Sequence, residues 1–120
     1  MRVVFGLVSA GLCRDNYKED VMIVIRNVFH LKFGKAKDAV ALVKEAVAAQ
    51  KRGGSSFSFR ILTDLTGTFY TVVLEVTAPS LAALEAEMPR NMSNPDFQAA
   101  YQKLVALVDS GHREIFTIVE

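Results

Sequence analysis

The chain has 120 residues, 51% of them apolar, and a formal net charge of +1, which suits one domain with one hydrophobic core. Such a near-neutral charge excludes bulk electrostatic attachment to nucleic acid or to an anionic membrane, and no apolar run is long enough to span a bilayer. A single cysteine, Cys13, excludes an intrachain disulfide and favours a reducing compartment, so we expect a cytoplasmic protein.

The first 21 residues are predicted to be an extension that precedes a single domain, residues 22–120. The stretch from Lys18 to Met22 can be encoded as AAG-GAG-GAC-GTN-ATG, which contains a bacterial ribosome-binding sequence just before a methionine codon. Our hypothesis is that Met22 is the natural start and that residues 1–21 are translated leader, which the gene sequence at codons 18–20 tests. One alternative is a poorly packed N-terminal extension, and both versions predict that residues 1–21 contribute little to the core. Another is an export signal, although the apolar run Val3–Val8 is short for one.

The first strand is predicted at Met22–Lys32, where β-branched residues are dense. Its alternation puts Ile23, Ile25, Asn27, Phe29 and Leu31 on one face and Val24, Arg26, Val28, His30 and Lys32 on the other. A helix is predicted at Ala36–Arg52, because small and apolar residues recur there at steps of three and four, and Gly53-Gly54 ends it.

A β-hairpin is predicted next, with alternating strands at Ser56–Leu65 and Thr68–Thr77 around Thr66-Gly67. If Leu65 opposes Thr68, one face is apolar. The other face carries Ser58, Arg60, Leu62, Asp64, Phe69, Thr71, Val73 and Glu75. We call this face of the sheet the mixed face, and it includes Val24, Arg26, Val28, His30 and Lys32 of the first strand.

Two helical segments and a strand are predicted in the last third of the chain. Pro79-Ser80 begins a short helix that runs to Met88, and Asn94-Pro95-Asp96 begins a longer helix that Gly111 ends. A final strand covers His112–Glu120. The resulting order, β-α-β-β-α-β with the second helical segment split, indicates a ferredoxin-like α+β fold with a four-stranded antiparallel sheet. Because the mixed face carries large apolar side chains, we expect two sheets to pack face to face in a homodimeric barrel.

Two stretches carry a family resemblance. "FHLKFGKAKDAVALVKE" resembles the strand-to-helix opening of the dimeric α+β-barrel superfamily. "NPDFQAAYQKLVALVDSGHREIFTIVE" is similar to the closing helix and strand of its NIPSNAP-like and antibiotic-biosynthesis-monooxygenase-like members. The resemblance implies the fold and the dimer. It leaves the chemistry open, because the superfamily includes cofactor-free oxygenases, haem-degrading enzymes and isomerases, and no catalytic set can be matched residue by residue.

The candidate site is the set of polar residues on the mixed face. His30 is the candidate catalytic residue, as a general base, while Arg26, Arg60, Asp64 and Glu75 are candidates for binding a ligand. An alternative stays open at this stage: Arg60 and Glu75 would serve only as a salt bridge in the dimer interface.

The predicted function is binding of a small, partly apolar molecule in the cavity between sheet and helices, with cofactor-free monooxygenase-like chemistry as its enzymatic version. The alternative is a non-catalytic dimerisation or ligand-sensing module. No cofactor or metal site is predicted, because His30 and His112 are far apart in sequence and no motif supports haem. Lys35 and Lys37 are interpreted as solvated lysines. The expected partners are a second copy and a small molecule, not nucleic acid or a membrane.

Overall fold

The computed structural model describes residues 21–120, so the predicted extension, residues 1–21, lies outside the described residues except for Val21. The described part of the chain forms four strands and three helices. They are β1 Ile23–Leu31, α1 Ala36–Arg52, β2 Ser58–Thr63, β3 Thr71–Ala78, α2 Leu81–Met92, α3 Pro95–Val105 and β4 Val108–Thr117.

The four strands form one antiparallel sheet in the order β2-β3-β1-β4. The three helices lie on one face of this sheet, where their apolar side chains pack with Leu31, Val72 and Ile25 of the strands. The predicted ferredoxin-like α+β fold is therefore confirmed, including the split of the second helical segment into α2 and α3.

The core lies between α1, α3 and the central strands. Val43 of α1 and Val72 of β3 are the largest fully buried side chains. Ala39 and Ala46 on the same stripe of α1 are buried too, and their small size lets the helix lie close to the sheet. This packing follows the alternation predicted for β1, whose Ile23 and Ile25 face the helices.

The helix starts follow local capping chemistry. The helix α1 has the predicted bounds Ala36–Arg52. The side chain of Asn94 accepts hydrogen bonds from the amides of Asp96 and Phe97, as predicted for the start of α3. The predicted end of α2 at Met88 is wrong, because the helix continues through Pro89 and is closed by the amide of Ser93, which donates to the Pro89 carbonyl.

The end of α3 also differs from the prediction. The helix ends at Val105 and not at Gly111, and the last strand starts at Val108 instead of His112. The cause is a tertiary contact: the amide of Lys32 donates to the carbonyl of Leu107, which ties the chain to the end of β1. Gly111 therefore lies inside β4, opposite Phe29.

The predicted hairpin register is wrong by two residues. Ile61 lies opposite Leu74, where the prediction had Val72. The loop is longer than two residues because the Asp64 carboxylate accepts a hydrogen bond of 2.9 Å from the amide of Thr71. A shift of two residues preserves the side of the sheet on which each strand residue lies, so the division into an apolar and a mixed face is retained.

Candidate functional site

A row of alternating charges crosses the mixed face. Register places Arg60 of β2, Glu75 of β3, Arg26 of β1 and Glu114 of β4 side by side. Arg60 Nε donates to Glu75 Oε1 over 2.8 Å, and Arg26 Nη1 donates to Glu75 Oε2 over 3.1 Å. Arg26 Nε lies 3.4 Å from Glu114 Oε1. Each inner charge therefore has an opposite charge on both sides.

Glu75 is the electrostatic centre of this row. Its side chain is only 13% exposed, and both of its oxygens accept from guanidinium groups. The hydrogen bond from Arg60 is the main cause that lowers the pKa of Glu75 below its ordinary value, with a smaller contribution from Arg26, while burial acts in the opposite direction. The carboxylate is thus held ionised by its neighbours, and it is already fully occupied by them.

Replacing Glu75 by glutamine is expected to lower the free energy of unfolding by about 2 kcal/mol at pH 7, the usual size for hydrogen bonds to charged groups. Because the pKa of Glu75 is lowered in the folded state, its contribution is complete above the ordinary carboxyl pKa and is lost as pH falls through the folded pKa. Urea unfolding at a series of pH values should show the difference between Glu75→Gln and the wild type shrinking below about pH 4.

The matched control is Asp109→Asn, which removes an exposed ion pair with Lys32 whose atoms lie 3.4 Å apart. This change should cost less than about 0.5 kcal/mol, because exposed pairs contribute little. A difference for Glu75→Gln that stayed constant down to pH 2 would contradict the assigned role of the charge.

His30 lies on the same face of the sheet, further along β1 than Arg26 of the charge row. Its Nδ1 is 3.3 Å from Oγ1 of Thr71. The Thr71 hydroxyl donates its hydrogen bond to the carbonyl of Thr68, 2.9 Å away. His30 must therefore be the donor in its contact with Thr71. Neutral His30 therefore carries its proton on Nδ1 and leaves Nε2 with a lone pair.

The structure thus brings three of the five sequence-predicted residues into direct contact and separates the other two. Arg26, Arg60 and Glu75 form the charge row, while His30 contacts Thr71 and not a carboxylate. Asp64 lies at the end of β2, where it holds the hairpin loop. Their roles in catalysis and ligand binding stay predictions.

An open groove of about 730 Å³ lies elsewhere, between the first half of α1 and the β2–β3 loop. Its walls are mainly apolar, and among the predicted site residues only Asp64 reaches it. The lining residues are Phe33, Ala36, Lys37, Val40, Ala41, Lys44, Thr63, Asp64, Phe69 and Tyr70. Concave, mostly apolar sites with a few polar groups are typical of small-molecule binding.

Aromatic rings form one end of the groove. The rings of Phe33 and Tyr70 lie 4.8 Å apart at an angle of 58°. Tyr70 has φ +57°, a left-handed conformation that bulky residues rarely adopt and that costs on the order of 1–3 kcal/mol. Phe33 and Phe69 are 77% and 71% exposed, unusually open for phenylalanine. Strain and exposed aromatic surface therefore coincide at one place.

Two lysines give the groove its charge. Lys37 and Lys44 both line it from α1, opposite the single carboxylate of Asp64. Two lysines against one carboxylate give the groove an excess of positive charge. The sequence interpretation treated Lys37 as solvated and did not single out Lys44, Phe33 or Tyr70. The spacing of Lys37 and Lys44, two helical turns apart, was the one available signal.

Two kinds of feature are absent from residues 21–120. No group of three or more histidine, cysteine or acidic side chains is arranged there to hold a metal ion. No helix in the same range is long and apolar enough to cross a membrane.

Comparison with known proteins identifies similar folds. No protein-family model matches the chain, and neither does any curated protein sequence. A NIPSNAP family protein from Agrobacterium tumefaciens matches with a TM-score of 0.70 and 21% identity, over 79% of this chain and 90% of that one. A second NIPSNAP family protein from that organism, of unknown function, matches with a TM-score of 0.72 and 17% identity, over 85% and 92%.

SnoaB, a cofactor-independent oxygenase from Streptomyces nogalater, matches with a TM-score of 0.64 and 16% identity, over 82% of this chain and 94% of that one. At identities this low the likeness is one of fold. The superfamily resemblance predicted from the sequence is confirmed at that level: the chain has the ferredoxin-like fold of NIPSNAP and antibiotic-biosynthesis-monooxygenase-like proteins.

Proposed function

We propose that this protein binds a small, partly apolar molecule with an anionic group in the groove between α1 and the β2–β3 loop. The observation that carries the proposal is the meeting of exposed aromatic rings with Lys37 and Lys44 around one concavity. A flat apolar body would pack on Phe33 and Tyr70, while a carboxylate or phenolate would face the lysines.

The strain at Tyr70 supports this use of the groove. A left-handed tyrosine costs free energy that a glycine at the same position would avoid. The left-handed backbone places the Tyr70 ring beside Phe33, and both rings line the groove. Such strain clusters at ligand sites more often than at purely structural positions.

The test uses 2-naphthoate, which combines a flat apolar body with one carboxylate. Calorimetry should show one molecule bound per chain. Lys37→Ala and Lys44→Ala should each weaken binding about threefold to fivefold, the range for one exposed charge pair, and Phe33→Ala about tenfold. The fold should tolerate the last change, since the Phe33 side chain is largely exposed.

Lys103→Ala is the matched control, because this lysine lies on α3 and does not line the groove. It should bind 2-naphthoate like the wild type. If Lys103→Ala and Lys44→Ala lost the same affinity for 2-naphthoate, the effect would come from net charge and not from the groove. If Phe33→Ala left the affinity unchanged, the proposed site would be wrong.

An enzymatic version of this proposal is cofactor-free monooxygenation, which the likeness to SnoaB favours. The groove's own residues favour binding over turnover, because its one carboxylate, Asp64, already accepts the amide of Thr71 and holds the loop. Oxygen uptake by the protein with 1-naphthol separates the two: uptake that Lys44→Ala lowers and Lys103→Ala does not would establish turnover in the groove.

We also propose that two copies pair through the mixed face, as the alternative function of a dimerisation module would require. Phe116 at its edge is 52% exposed in the isolated subunit, while Val28 and Val73 at its centre are already covered within the subunit, each 8% exposed. The charge row reads plus, minus, plus, minus from β2 to β4. A second copy turned about an axis parallel to the strands would lay Glu114 over Arg60, so the row is complementary to itself. We propose separately, from the single cysteine, that the protein is cytoplasmic.

A further inference from the structure

The chain contains two histidines, and the fold brings them together. His30 of β1 pairs with Ser110 of β4, and His112 of β4 pairs with Val28 of β1. The two rings are therefore diagonal neighbours on the mixed face, with centroids 6.3 Å apart and planes at 44°. Two histidines so far apart in sequence gave no metal signal, because only the pairing of β1 with β4 places them side by side.

Each ring has one nitrogen engaged by an oxygen. The Nδ1–H of His30 donates to Thr71, as the proton of the Thr71 hydroxyl goes to Thr68. On the other ring, Nε2 of His112 lies 3.2 Å from Oε2 of Glu114. An ionised carboxylate only accepts, so neutral His112 carries its proton on Nε2. The free lone pairs are therefore on Nε2 of His30 and on Nδ1 of His112.

This is the arrangement that metal-binding histidines have. Their second ring nitrogen typically donates to a carboxylate or another oxygen, which fixes the tautomer and raises the basicity of the binding nitrogen. Here both rings have such an acceptor, although neither takes part in the core. An ion about 2 Å from one nitrogen of each ring places the ring centroids roughly 5 Å apart at a tetrahedral angle. The observed separation is 6.3 Å, so the two rings would approach each other by about 1 Å to share such an ion.

We propose that His30 and His112 bind one divalent transition-metal ion of the class that prefers imidazole, such as Zn²⁺, Cu²⁺ or Ni²⁺. His30 uses Nε2 and His112 uses Nδ1, and the remaining coordination positions are open. Glu114 accepts from His112 and also pairs with Arg26, which in turn pairs with Glu75, so Arg26 leaves no uncompensated positive charge beside the site. The site does not depend on the groove, whose lining includes neither histidine.

The test is a titration of the tag-free full-length chain, in which the signals of two histidine rings belong to His30 and His112 alone. Substoichiometric Cu²⁺ should broaden the ring C–H proton signals of both residues in parallel, and Zn²⁺ calorimetry should give one ion per chain. His30→Ala and His112→Ala should each weaken Zn²⁺ binding at least tenfold. Glu114→Gln should weaken it about tenfold, as changes behind a ligand do.

Two controls separate this site from other metal binding. Cys13→Ser removes the thiol and should leave the affinity unchanged. Glu85→Gln, an exposed carboxylate on α2, should also leave it unchanged. Since the His112 side chain is 52% exposed, its replacement should not affect the thermal melt. Broadening of the two rings at different Cu²⁺ concentrations, or Zn²⁺ affinity that survives His30→Ala, would overturn the proposal.

Discussion

The Phe116→Lys variant is expected to be monomeric at concentrations where the wild-type chain is dimeric. Phe116 lies on the mixed face of β4, opposite Val24, and about half of its side chain is exposed in the isolated subunit. In the proposed homodimer this ring would be buried between two sheets. A lysine there would lose the apolar contact and would also need its charge removed from water.

The size of the effect follows from symmetry. Burying the exposed half of the Phe116 ring, roughly 100 Å² at about 25 cal/mol per Å², contributes about 2 kcal/mol, and a two-fold dimer contains the same contact twice. The loss is then about 4 kcal/mol, which corresponds to roughly a thousandfold weaker dimer. Light scattering during size exclusion, over a hundredfold range of concentration, measures this shift directly.

Val105→Lys is the matched control. Val105 is 51% exposed, against 52% for Phe116, but it ends α3 on the helical side of the molecule. A lysine at the end of a helix is also compatible with the helix dipole, so the control should fold normally and stay dimeric. Two results would contradict the proposed interface: a wild-type monomer at all concentrations, or equal dissociation of both variants.

Sequence patterns predicted the features that depend on neighbouring residues. The bounds of α1 and the cap at Asn94 follow from periodicity and from side chains within three positions, so they could be predicted without knowledge of the fold. The end of α3 could not, because it depends on the hydrogen bond between Lys32 and Leu107. The hairpin register failed for the same reason, since Asp64 holds a loop that no local turn signal marks.

The charge row, the groove and the histidine pair differ in the same way. Alternation along the strands was enough to place Arg26, Arg60 and Glu75 on one face, and the structure adds only Glu114 to the row. The groove depends on the left-handed backbone of Tyr70, which sequence does not reveal in a bulky residue. The histidine pair depends on β1–β4 pairing and was equally hidden.

Gly111→Ala is expected to lower the free energy of unfolding by about 2–3 kcal/mol, the upper part of the range for overpacking. A Cβ at position 111 would lie 2.6 Å from the carbonyl oxygen of Val28, which is backbone in the neighbouring strand. That atom cannot rotate away as the end of a side chain would, so β4 must move from β1. Urea unfolding gives the loss, and amide exchange should locate it between these two strands.

Gly67→Ala is the control that separates this clash from the general effects of replacing a glycine. Gly67 lies in the β2–β3 loop with φ +107°, and a Cβ there meets nothing within 4 Å. Both substitutions restrict the unfolded chain equally, so that contribution cancels in the comparison. Gly67→Ala should cost about 1 kcal/mol from backbone strain alone. If Gly111→Ala cost no more, close approach of β4 to β1 would not be what requires glycine, and the placement of His112 beside His30 would lose a structural support.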